Sequence, residues 1–241
     1  MNSKLTHWVL GNSCCNSRWE DAYNRFESED EEVRKFKKRL GYLGAGIWSR
    51  DATIVDLFCG SGRNLSCLER MGFSDLHGVD LSPRLLSRYS GSANLYVGDA
   101  TALGFPEKWA DVIIVQGGLH HLPNLSLNLG KCLDEIHRVL KPDGLFVMVE
   151  PWVTPFLNLA HWCCRRKIIC RMSAKVGALA VMIEEEKETY FSWLSNSELI
   201  LQELNSRFEK KFLVTALGKF NFVGTPAVIQ RQAPLSQHSS L

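Results

Sequence analysis

The chain has 241 residues, of which 45% are hydrophobic and 22% charged, the balance of one globular α/β unit with a full core. A formal net charge of +2 gives no support to a nucleic-acid-binding protein, which usually presents a strongly basic face. No segment has the roughly 18 uninterrupted apolar residues of a membrane span, and residues 1–16 lack the apolar stretch of a secretory signal. We therefore expect a cytoplasmic protein with no stable membrane insertion and no nucleic-acid partner.

The eight cysteines are expected to stay reduced in that compartment. Two adjacent pairs, Cys14-Cys15 and Cys163-Cys164, do not have the C-x2-C spacing with which two thiolates share a zinc ion, even with His161 and Cys170 near the second pair. No metal site is expected. The cysteines that lie within apolar periodic stretches, and should behave as small hydrophobic residues, are Cys59, Cys67 and Cys132.

Two helices are predicted before the first long strand. Trp19, Tyr23 and Phe26 recur at helical spacing, which fits either a helix packed on the core or a lid whose rings cover a ligand. Ser28-Glu29-Asp30-Glu31 is a capping box that begins the second helix. The basic residues towards its end, Lys35 and Arg39 among them, complement the helix dipole, and we interpret them as needing no ligand.

The stretch from Ile54 to Phe58 predicts a short buried strand. Gly60-Ser61-Gly62 then lets the backbone turn tightly into a helix that begins near Asn64, so a ligand could lie directly against main-chain N–H groups. Alone this is a weak signal, because many α/β proteins leave a strand through glycine.

Further β-α units follow at regular spacing, with strands predicted at Leu76–Leu81, Leu95–Val97, Asp111–Val115 and Leu145–Val149. Their succession predicts a doubly wound parallel sheet with helices on both faces. Ligands bind at the carboxyl ends of such strands. The residues at those ends are Gly60, Gly62, Asp80, Asp99, Gln116, His120 and Glu150. Each alone is common in turns, but together they fit a nucleoside ligand.

From about Trp19 to Pro151 the chain resembles the class I S-adenosylmethionine-dependent methyltransferases that act on small molecules. The motifs that carry the resemblance are Asp56-Leu57-Phe58-Cys59-Gly60-Ser61-Gly62, His77-Gly78-Val79-Asp80-Leu81-Ser82, Gly98-Asp99-Ala100, Leu119-His120-His121-Leu122-Pro123 and Arg138-Val139-Leu140-Lys141-Pro142-Asp143-Gly144. The resemblance implies a Rossmann-like, doubly wound α/β fold with a seven-stranded, mostly parallel sheet and an antiparallel C-terminal hairpin. It also implies S-adenosylmethionine as cofactor and S-adenosylhomocysteine as product.

The resemblance assigns roles at the cofactor. Asp80 would bind the ribose hydroxyls, Asp99 and the Ala100 amide would read the adenine, and Asp56 would hold the loop and the cofactor's ammonium. The remaining cofactor-binding residues would be Gly60 and Gly62 against the methionyl part, Gln116 lining it, Trp19 and Tyr23 on a covering helix, and Asn64 and Leu81.

The chain departs from related sequences at Phe58, where many family members have glycine, which leaves the exact loop shape open. A dinucleotide site is disfavoured because Leu65 stands where G-x-G-x-x-G needs its third glycine. A base-modifying RNA methyltransferase is disfavoured because Gln116-Gly117-Gly118-Leu119 replaces an Asn/Asp-Pro-Pro-aromatic tetrapeptide.

The sulfonium of the cofactor makes its methyl group electrophilic, so the protein mainly has to align the acceptor and exclude water. His120 and His121 are the candidate catalytic residues, since a histidine near its usual pKa can act as a general base. Adjacent side chains diverge, so we expect only one of them to face the site. Alternatively, neither histidine titrates in catalysis, and a histidine here hydrogen-bonds the backbone and shapes the site.

The segment from Trp152 to Ile183 is apolar and interrupted by cations, and we expect region 152–194 to be a lid over the substrate. Helices packed on the core or a helix touching a membrane compete with that interpretation. The cations form no clean polar face, which favours the lid or the core. Candidate substrate contacts are Trp152, Arg165, Arg166 and Tyr190, suiting an apolar acceptor with a carboxylate or phosphate.

The other expected regions are an N-terminal helical cover at 1–50, a cofactor-binding core at 51–151, a last helix and hairpin at 195–231 and a flexible tail at 232–241. The last helix would begin with a capping box at Ser195-Asn196-Ser197-Glu198 and run through Phe208. Strands Lys211–Leu217 and Phe222–Ile229 would form the hairpin.

The expected function is methyl transfer to a small, partly apolar metabolite at an oxygen or nitrogen. A methyltransferase-fold protein that binds a ligand or partner without turnover is the main alternative, and an RNA or protein methyltransferase the lesser one.

Overall fold

The computed structural model of the chain describes residues 5–11 and 17–228. The strands are β1 (Leu5–His7), β2 (Ile54–Leu57), β3 (Leu76–Asp80), β4 (Asn94–Val97), β5 (Ala110–Gln116), β6 (Leu140–Pro151), β7 (Phe208–Ala216) and β8 (Lys219–Pro226). The helices are α1 (Ser17–Phe26), α2 (Glu29–Tyr42), α3 (Arg63–Arg70), α4 (Pro83–Leu86), α5 (Leu125–Val139), α6 (Pro155–Cys164), α7 (Lys167–Met172), α8 (Ala174–Glu185), α9 (Lys187–Ser195) and α10 (Ser197–Asn205).

The strands form one eight-stranded sheet in the order β1-β4-β3-β2-β5-β6-β8-β7. Strands β1 to β6 run parallel to one another, and β8 is antiparallel to both β6 and β7. The predicted Rossmann-like fold and C-terminal hairpin are confirmed. The predicted count of seven strands was one too few, because β1 pairs with β4 at the edge. A three-residue strand is too short for the apolar alternation by which a strand is recognised.

Each face of the sheet carries its own hydrophobic core. In β5, Ile113 and Val115 pack with α5 on one face, while Val112 and Ile114 pack with α2 and α3 on the other. Successive side chains of a strand point to opposite faces, so a strand buried on both sides must be apolar throughout. Helices therefore cover both faces, as predicted, and leave the strand ends for the site.

Two predicted helix starts are confirmed by their caps. The Ser28 side chain accepts a hydrogen bond from the Glu31 amide at 3.3 Å, and the Ser82 side chain accepts one from the Leu85 amide at 3.2 Å. Each cap satisfies a backbone donor that the first helical turn leaves without a partner.

The capping box predicted at Ser195 to Glu198 is wrong. Helix α9 continues to Ser195, and Asn196, which precedes α10, makes no side-chain cap. Its side-chain amide instead donates to the Ser192 carbonyl at 2.7 Å, because that carbonyl lies in the last turn of α9 and needs a donor. Helix α10 ends at Asn205, three residues before the predicted end.

The hairpin strands β7 and β8 begin three residues before their predicted starts. The predicted tail at 232–241 and the pair Cys14-Cys15 lie outside the described residues. In residues 5–11 and 17–228, no helix combines the length and the apolarity needed to cross a bilayer.

Candidate functional site

The carboxyl ends of the central strands open into a cavity of about 760 Å³. Helices α1 and α2 form one side of its wall, and α6, α8 and α9 contribute to the other. The cavity therefore lies at the edge of the sheet where strand topology predicts a ligand.

Most of the predicted site residues meet in this cavity. Those on its wall are Trp19, Tyr23, Gly60, Asn64, Asp80, Leu81, Asp99, Ala100, Gln116, His120, His121 and Tyr190. The predicted residues that the structure places off the wall are Asp56, Gly62, Trp152, Arg165 and Arg166.

Three of the four candidate substrate contacts are thus not brought to the cavity. The Trp152 ring stacks on Phe220 at 4.5 Å between centroids, and Arg166 lies over the Trp162 ring at 4.9 Å. Arg165 is exposed. Helix α6 faces the cavity through its first residues, so the two arginines that follow its last turn lie beyond the wall.

Asp80 ties the glycine loop to the end of β3. Its Oδ2 accepts from the Gly60 amide and its Oδ1 from the Ser82 amide, both at 2.8 Å. Burial raises the pKa of Asp80, and the two amides oppose that rise. Each carboxylate oxygen retains a second lone pair, so this side chain can still accept from a pair of vicinal hydroxyls.

The two glycines of the loop have different neighbours. Both have positive φ, 53° at Gly60 and 75° at Gly62. A Cβ at Gly62 would lie 2.4 Å from the Tyr89 ring, whereas a Cβ at Gly60 would meet nothing within 4 Å. Gly62 is therefore required by packing, and only Gly60 borders the open cavity.

Asp56 lies fully buried behind the loop. The Asn64 side-chain amide donates to its Oδ1 at 3.4 Å, while Asp56 Oδ2 and Asn64 Oδ1 have no hydrogen-bond partner among the described residues. Burial raises the pKa of Asp56 to about 8, and the negative charge of Asp80 adds to the rise. Two buried acceptors without donors are costly, so the pair suits a cationic donor supplied by a ligand.

Asp99 closes the turn after β4. Its Oδ1 accepts from both the amide and the hydroxyl of Thr101 at 2.8 Å. This fixes Asp99 and Ala100 on the cavity wall next to the end of β3.

The aromatic pair of α1 forms part of the wall rather than of either core. Trp19 stacks on Tyr23 with ring centroids 5.1 Å apart, and the Trp19 ring meets His121 edge-on at 6.0 Å. The Tyr23 hydroxyl donates to Glu32, and burial together with that carboxylate raises the pKa of Tyr23. The position of the two rings favours the interpretation of α1 as a lid.

Both candidate catalytic histidines face the cavity, so the expectation that only one would do so is wrong. They lie in a 3-10 turn, Leu119–His121, whose tight curvature holds the two rings 4.2 Å apart instead of letting them diverge. His120 Nδ1 hydrogen-bonds Glu150 Oε2 at 2.7 Å. The other oxygen of the fully buried Glu150 accepts from the Gly118 and Leu119 amides, both at 2.8 Å.

Glu186, at the end of α8, completes this cluster. Its Oε2 lies 3.5 Å from His120 Nε2 and its Oε1 lies 3.8 Å from His121 Nδ1. Burial alone would lower the pKa of His120, but Glu150 and Glu186 outweigh it and raise that pKa to about 9. Burial and the adjacent charge of His120 lower the pKa of His121 to about 4. At neutral pH the pair is one imidazolium beside one neutral imidazole.

Sequence reasoning missed Glu186, which stands in the run Glu184-Glu185-Glu186 and carries no signal that separates it from a solvated helix end.

Sequence reasoning also missed the cations of the cavity. The basic residues on the wall are Lys35, Arg39, Arg63, Arg88 and Lys219. The interpretation of the α2 cations as serving only the helix dipole is incomplete, because Lys35 and Arg39 are four residues apart and share the face towards the cavity.

Three of these cations have carboxylate partners. Lys35 pairs with Glu27 and Glu31, Arg63 with Glu32, and Arg88 with Glu20.

Arg39 and Lys219 differ from them. Within the described part of the chain, neither has a carboxylate at salt-bridge distance, and Arg39 donates instead to the Gln116 side-chain oxygen. Burial lowers the pKa of Lys219, and the charge of Arg39 lowers it further. Two cations without a protein anion form a place for an anionic group of a ligand.

The far end of the cavity is apolar. Its lining there comes from Phe156, Leu157 and Ala160 of α6 and from Leu179, Met182 and Ile183 of α8. The cavity thus joins a polar half at the strand ends to an apolar half lined by α6 and α8.

Comparison with known proteins matches residues 55–148 to a family described as methyltransferase domain. The chain is similar to a demethylmenaquinone methyltransferase from Leptospira interrogans, with 33% identity over 150 residues. That match covers 54% of this chain and 59% of the relative, so the chain spans about three fifths of the length of that curated relative.

Solved structures show the same fold. A protein from Pyrococcus horikoshii OT3 superposes with a TM-score of 0.64 at 20% identity, over 88% of this chain and 100% of that one. Magnesium protoporphyrin IX methyltransferase from Synechocystis PCC 6803, solved with bound SAH, gives a TM-score of 0.59 at 14% identity, over 87% and 93% of the two chains. At such identities the likeness concerns the fold alone.

Proposed function

We propose that this chain is a class I S-adenosylmethionine-dependent methyltransferase that methylates a small, partly apolar metabolite at an oxygen or nitrogen atom, which the match of residues 55–148 to the methyltransferase-domain family supports. One observation carries the proposal: a single cavity joins the polar strand ends, the histidine pair and an apolar wall. A methyl donor, a proton acceptor and an apolar acceptor molecule can therefore meet in one enclosed space.

The polar half fits S-adenosylmethionine group by group. Asp80 would accept from the two ribose hydroxyls, and Asp99 with the Ala100 amide would bind the adenine edge. At the amino-acid end, Asn64 Oδ1, which lacks a donor and belongs to a wall residue, would accept from the ammonium, with the buried Asp56 carboxyl behind it.

The carboxylate of the cofactor's amino-acid end would bind Arg39 and Lys219, the two wall cations that have no described carboxylate at salt-bridge distance. The wall would thus offer an acceptor to the ammonium and cations to the carboxylate of the zwitterion. S-adenosylhomocysteine carries the same groups and would bind in the same way.

When bound, the cofactor supplies an electrophilic methyl group on a sulfonium. The residues of this chain would then have to exclude water and hold the acceptor in line, and helices α1, α6 and α8, which line the cavity, are placed to do so. His121, neutral at pH 7, would accept a proton from the acceptor at a ring nitrogen. A pKa of about 4 makes it a weak base, so it fits an acceptor that is already acidic, or an amine that needs alignment more than deprotonation.

His120 would act as a positioning residue. Held between Glu150 and Glu186, its imidazolium keeps the neighbouring His121 ring neutral and oriented. The histidine with the raised pKa is thus not the base, and the one with the lowered pKa is.

Three expectations from the sequence remain part of the proposal: a cytoplasmic location, no nucleic-acid substrate and no metal. Donor atoms of His120, His121 and Glu186 all lie within 4.8 Å of one another, a spacing that could also suit a divalent cation. Activity that survives exhaustive treatment with EDTA would support the metal-free mechanism, and activity restored only by an added divalent cation would contradict it.

Calorimetric titration with S-adenosylmethionine and S-adenosylhomocysteine tests the proposal. We expect saturable binding of both to the wild type and about tenfold weaker binding to Asp80→Asn, because hydrogen bonds to a charged carboxylate are lost. Asp111→Asn is the matched control: Asp111 also accepts a backbone amide, that of Thr53 at 2.9 Å, but lies at the opposite end of the strands.

Well-folded wild-type protein that binds neither compound would overturn the proposal and leave the alternative of a methyltransferase-fold protein without turnover. If binding is found, transfer of a radiolabelled methyl group to small phenols, enols and amines would identify the acceptor class.

A further inference from the structure

Helices α6 and α7, together with Val153 just before α6, expose large apolar side chains to solvent. The residues concerned, each 50% to 83% exposed, are Val153, Phe156, Leu159, Trp162, Ile168 and Met172. They make up six of the fifteen exposed large hydrophobic residues in the described part of the chain, within a stretch of only twenty positions. We call this set the α6–α7 face.

The face is a consequence of helical spacing. Phe156, Leu159 and Trp162 recur every three residues and so lie along one side of α6, while Leu157 and Ala160 on another side line the cavity. In α7, Ile168 and Met172 are four residues apart and share one side. The sequence favoured a lid over the substrate or helices packed on the core, and the structure leaves these six side chains exposed.

The segment that carries these apolar side chains is basic. No aspartate or glutamate occurs from residue 151 to residue 183, whereas the whole chain has 26 acidic residues and a net charge of only +2. The basic residues of the segment are Arg165, Arg166, Lys167, Arg171 and Lys175. Lys175 pairs with Glu31 at 2.7 Å.

The other four cations are exposed and, within residues 5–11 and 17–228, have no carboxylate at salt-bridge distance. Arg166 lies over the Trp162 ring at 4.9 Å, which puts a charge directly beside the apolar side chains. Solvent-exposed apolar residues bordered by uncompensated cations are the pattern by which a helix lies in the headgroup region of an anionic membrane.

We propose that the α6–α7 face docks on the surface of an anionic lipid bilayer. The apolar side chains would enter the headgroup boundary, Trp162 would sit at its level, and the arginines would contact lipid phosphates. No helix of the described residues is long and apolar enough to cross a bilayer, so the contact is peripheral. A nucleic-acid surface needs the cations but gives no reason to expose Ile168 and Met172.

Docking would place the cavity at the lipid. Phe156 is 53% exposed on the α6–α7 face and also lines the apolar half of the cavity. An apolar acceptor dissolved in the bilayer could then enter without crossing water. The docking itself does not depend on the proposed methyl transfer.

Co-sedimentation with sucrose-loaded vesicles tests the inference on the full chain. We expect the wild type to bind vesicles of equimolar phosphatidylcholine and phosphatidylglycerol, and to bind pure phosphatidylcholine at least about tenfold more weakly. The double variant Arg165→Gln/Arg166→Gln should lose roughly fivefold per cation removed on the anionic vesicles. Ile168→Asp should weaken binding to both vesicle types, since it removes apolar area and adds a negative charge.

Matched controls lie on other surfaces. Ile47→Asp changes an exposed isoleucine that lies near the amino ends of the strands, away from the α6–α7 face. Lys37→Gln/Lys38→Gln removes two exposed cations of α2. Both controls should bind anionic vesicles as the wild type does, and circular dichroism melting of every variant checks that it is folded.

A second readout locates the face in the bilayer. Brominated lipids should quench part of the tryptophan fluorescence of the wild type. The Trp162→Phe variant should not show this quenching, because Trp162 is the ring that would lie at the headgroup level. Wild-type protein that ignores anionic vesicles would overturn the inference. So would equal loss in the α6–α7 variants and the controls, or binding of a single-stranded RNA oligonucleotide but not of vesicles at the same ionic strength.

Discussion

The Phe58 ring occupies the space that a side chain at Gly118 would need. A Cβ at Gly118 would lie 2.4 Å from two atoms of that ring and 2.6 Å from the Phe58 Cβ. Phe58 itself has φ of 59°, a conformation that L-residues adopt rarely. The loop after β2 and the loop after β5 therefore pack against each other, and the large side chain at position 58 requires glycine at position 118.

This fit predicts a strong coupling between the two positions. Gly118→Ala should destabilise the wild type by about 1–3 kcal/mol, because the obstructing atoms belong to the root of the Phe58 side chain and cannot move aside. In a Phe58→Gly background the same change should cost much less. Urea denaturation of the four proteins of the cycle measures the coupling, with Gly46→Ala, which has open space, as control. Additive costs would contradict the fit.

Alanine substitutions at the two loop glycines should have different effects on stability and on ligand binding. Gly62→Ala should lower the free energy of unfolding by about 1–3 kcal/mol, since the new Cβ meets the Tyr89 ring and φ is positive. Gly60→Ala has room and should cost only the backbone strain of roughly 1–2 kcal/mol, but its methyl group would project into the cavity.

Thermal unfolding and S-adenosylhomocysteine titration separate the two effects. We expect Gly62→Ala to act mainly on stability and Gly60→Ala mainly on affinity. Equal loss of affinity in both variants, measured well below their melting temperatures, would show that Gly62 also contacts the ligand.

Cofactor binding should release a proton from Asp56. With its pKa raised to about 8, this carboxyl is mostly protonated at pH 7, and an ammonium bound at the neighbouring Asn64 would favour its ionisation. Titration calorimetry at pH 7 in buffers of different ionisation enthalpy should therefore detect close to one proton released per ligand.

Asp56→Asn supplies the control for that experiment. It should abolish the release, weaken binding, and leave the free protein as stable as the wild type or more so, because the buried side chain no longer has to take up a proton when the chain folds. Proton release that persists in the variant would assign it to another group.

Stability should fall as pH rises through the titration of His120. An ordinary histidine has a pKa near 6.5, whereas His120 in the folded chain has a pKa of about 9. The protonated His120 ring therefore contributes its full stabilisation below pH 6.5, and the contribution is lost as the pH rises to about 9. The difference corresponds to on the order of 3 kcal/mol. The folded pKa of His121 lies near 4, outside this window.

Chemical denaturation between pH 6.5 and 9.5 measures the loss, preferably in an Asp56→Asn background because Asp56 titrates there too. Glu150→Gln should flatten the profile by removing the principal partner of His120. His137→Gln, which alters a histidine bonded to the Ala227 carbonyl, should leave the slope unchanged. A slope unaffected by Glu150→Gln would refute the assignment.

The amino-acid sequence by itself determined the order of β2 to β6 with the helices between them, the C-terminal hairpin, the glycine loop, and the acids at the ends of β3 and β4. These follow from local causes: apolar periodicity marks what is buried, and strands that run parallel must deliver their ends to one edge. Asp80 and Asp99 were predictable for that reason, and the structure places both on the cavity wall.

Only the tertiary structure decided which cations and acids belong to the site. Arg39, Glu186 and Lys219 come from α2, the end of α8 and the start of β8, and nothing local distinguishes them from solvated charges. Likewise Gly60 and Gly62 look alike in sequence, but one faces the cavity and the other faces Tyr89. Such roles depend on which distant segment lies opposite a residue, and burial and pairing, which set the pKa and the function of a charge, exist only after the chain has packed.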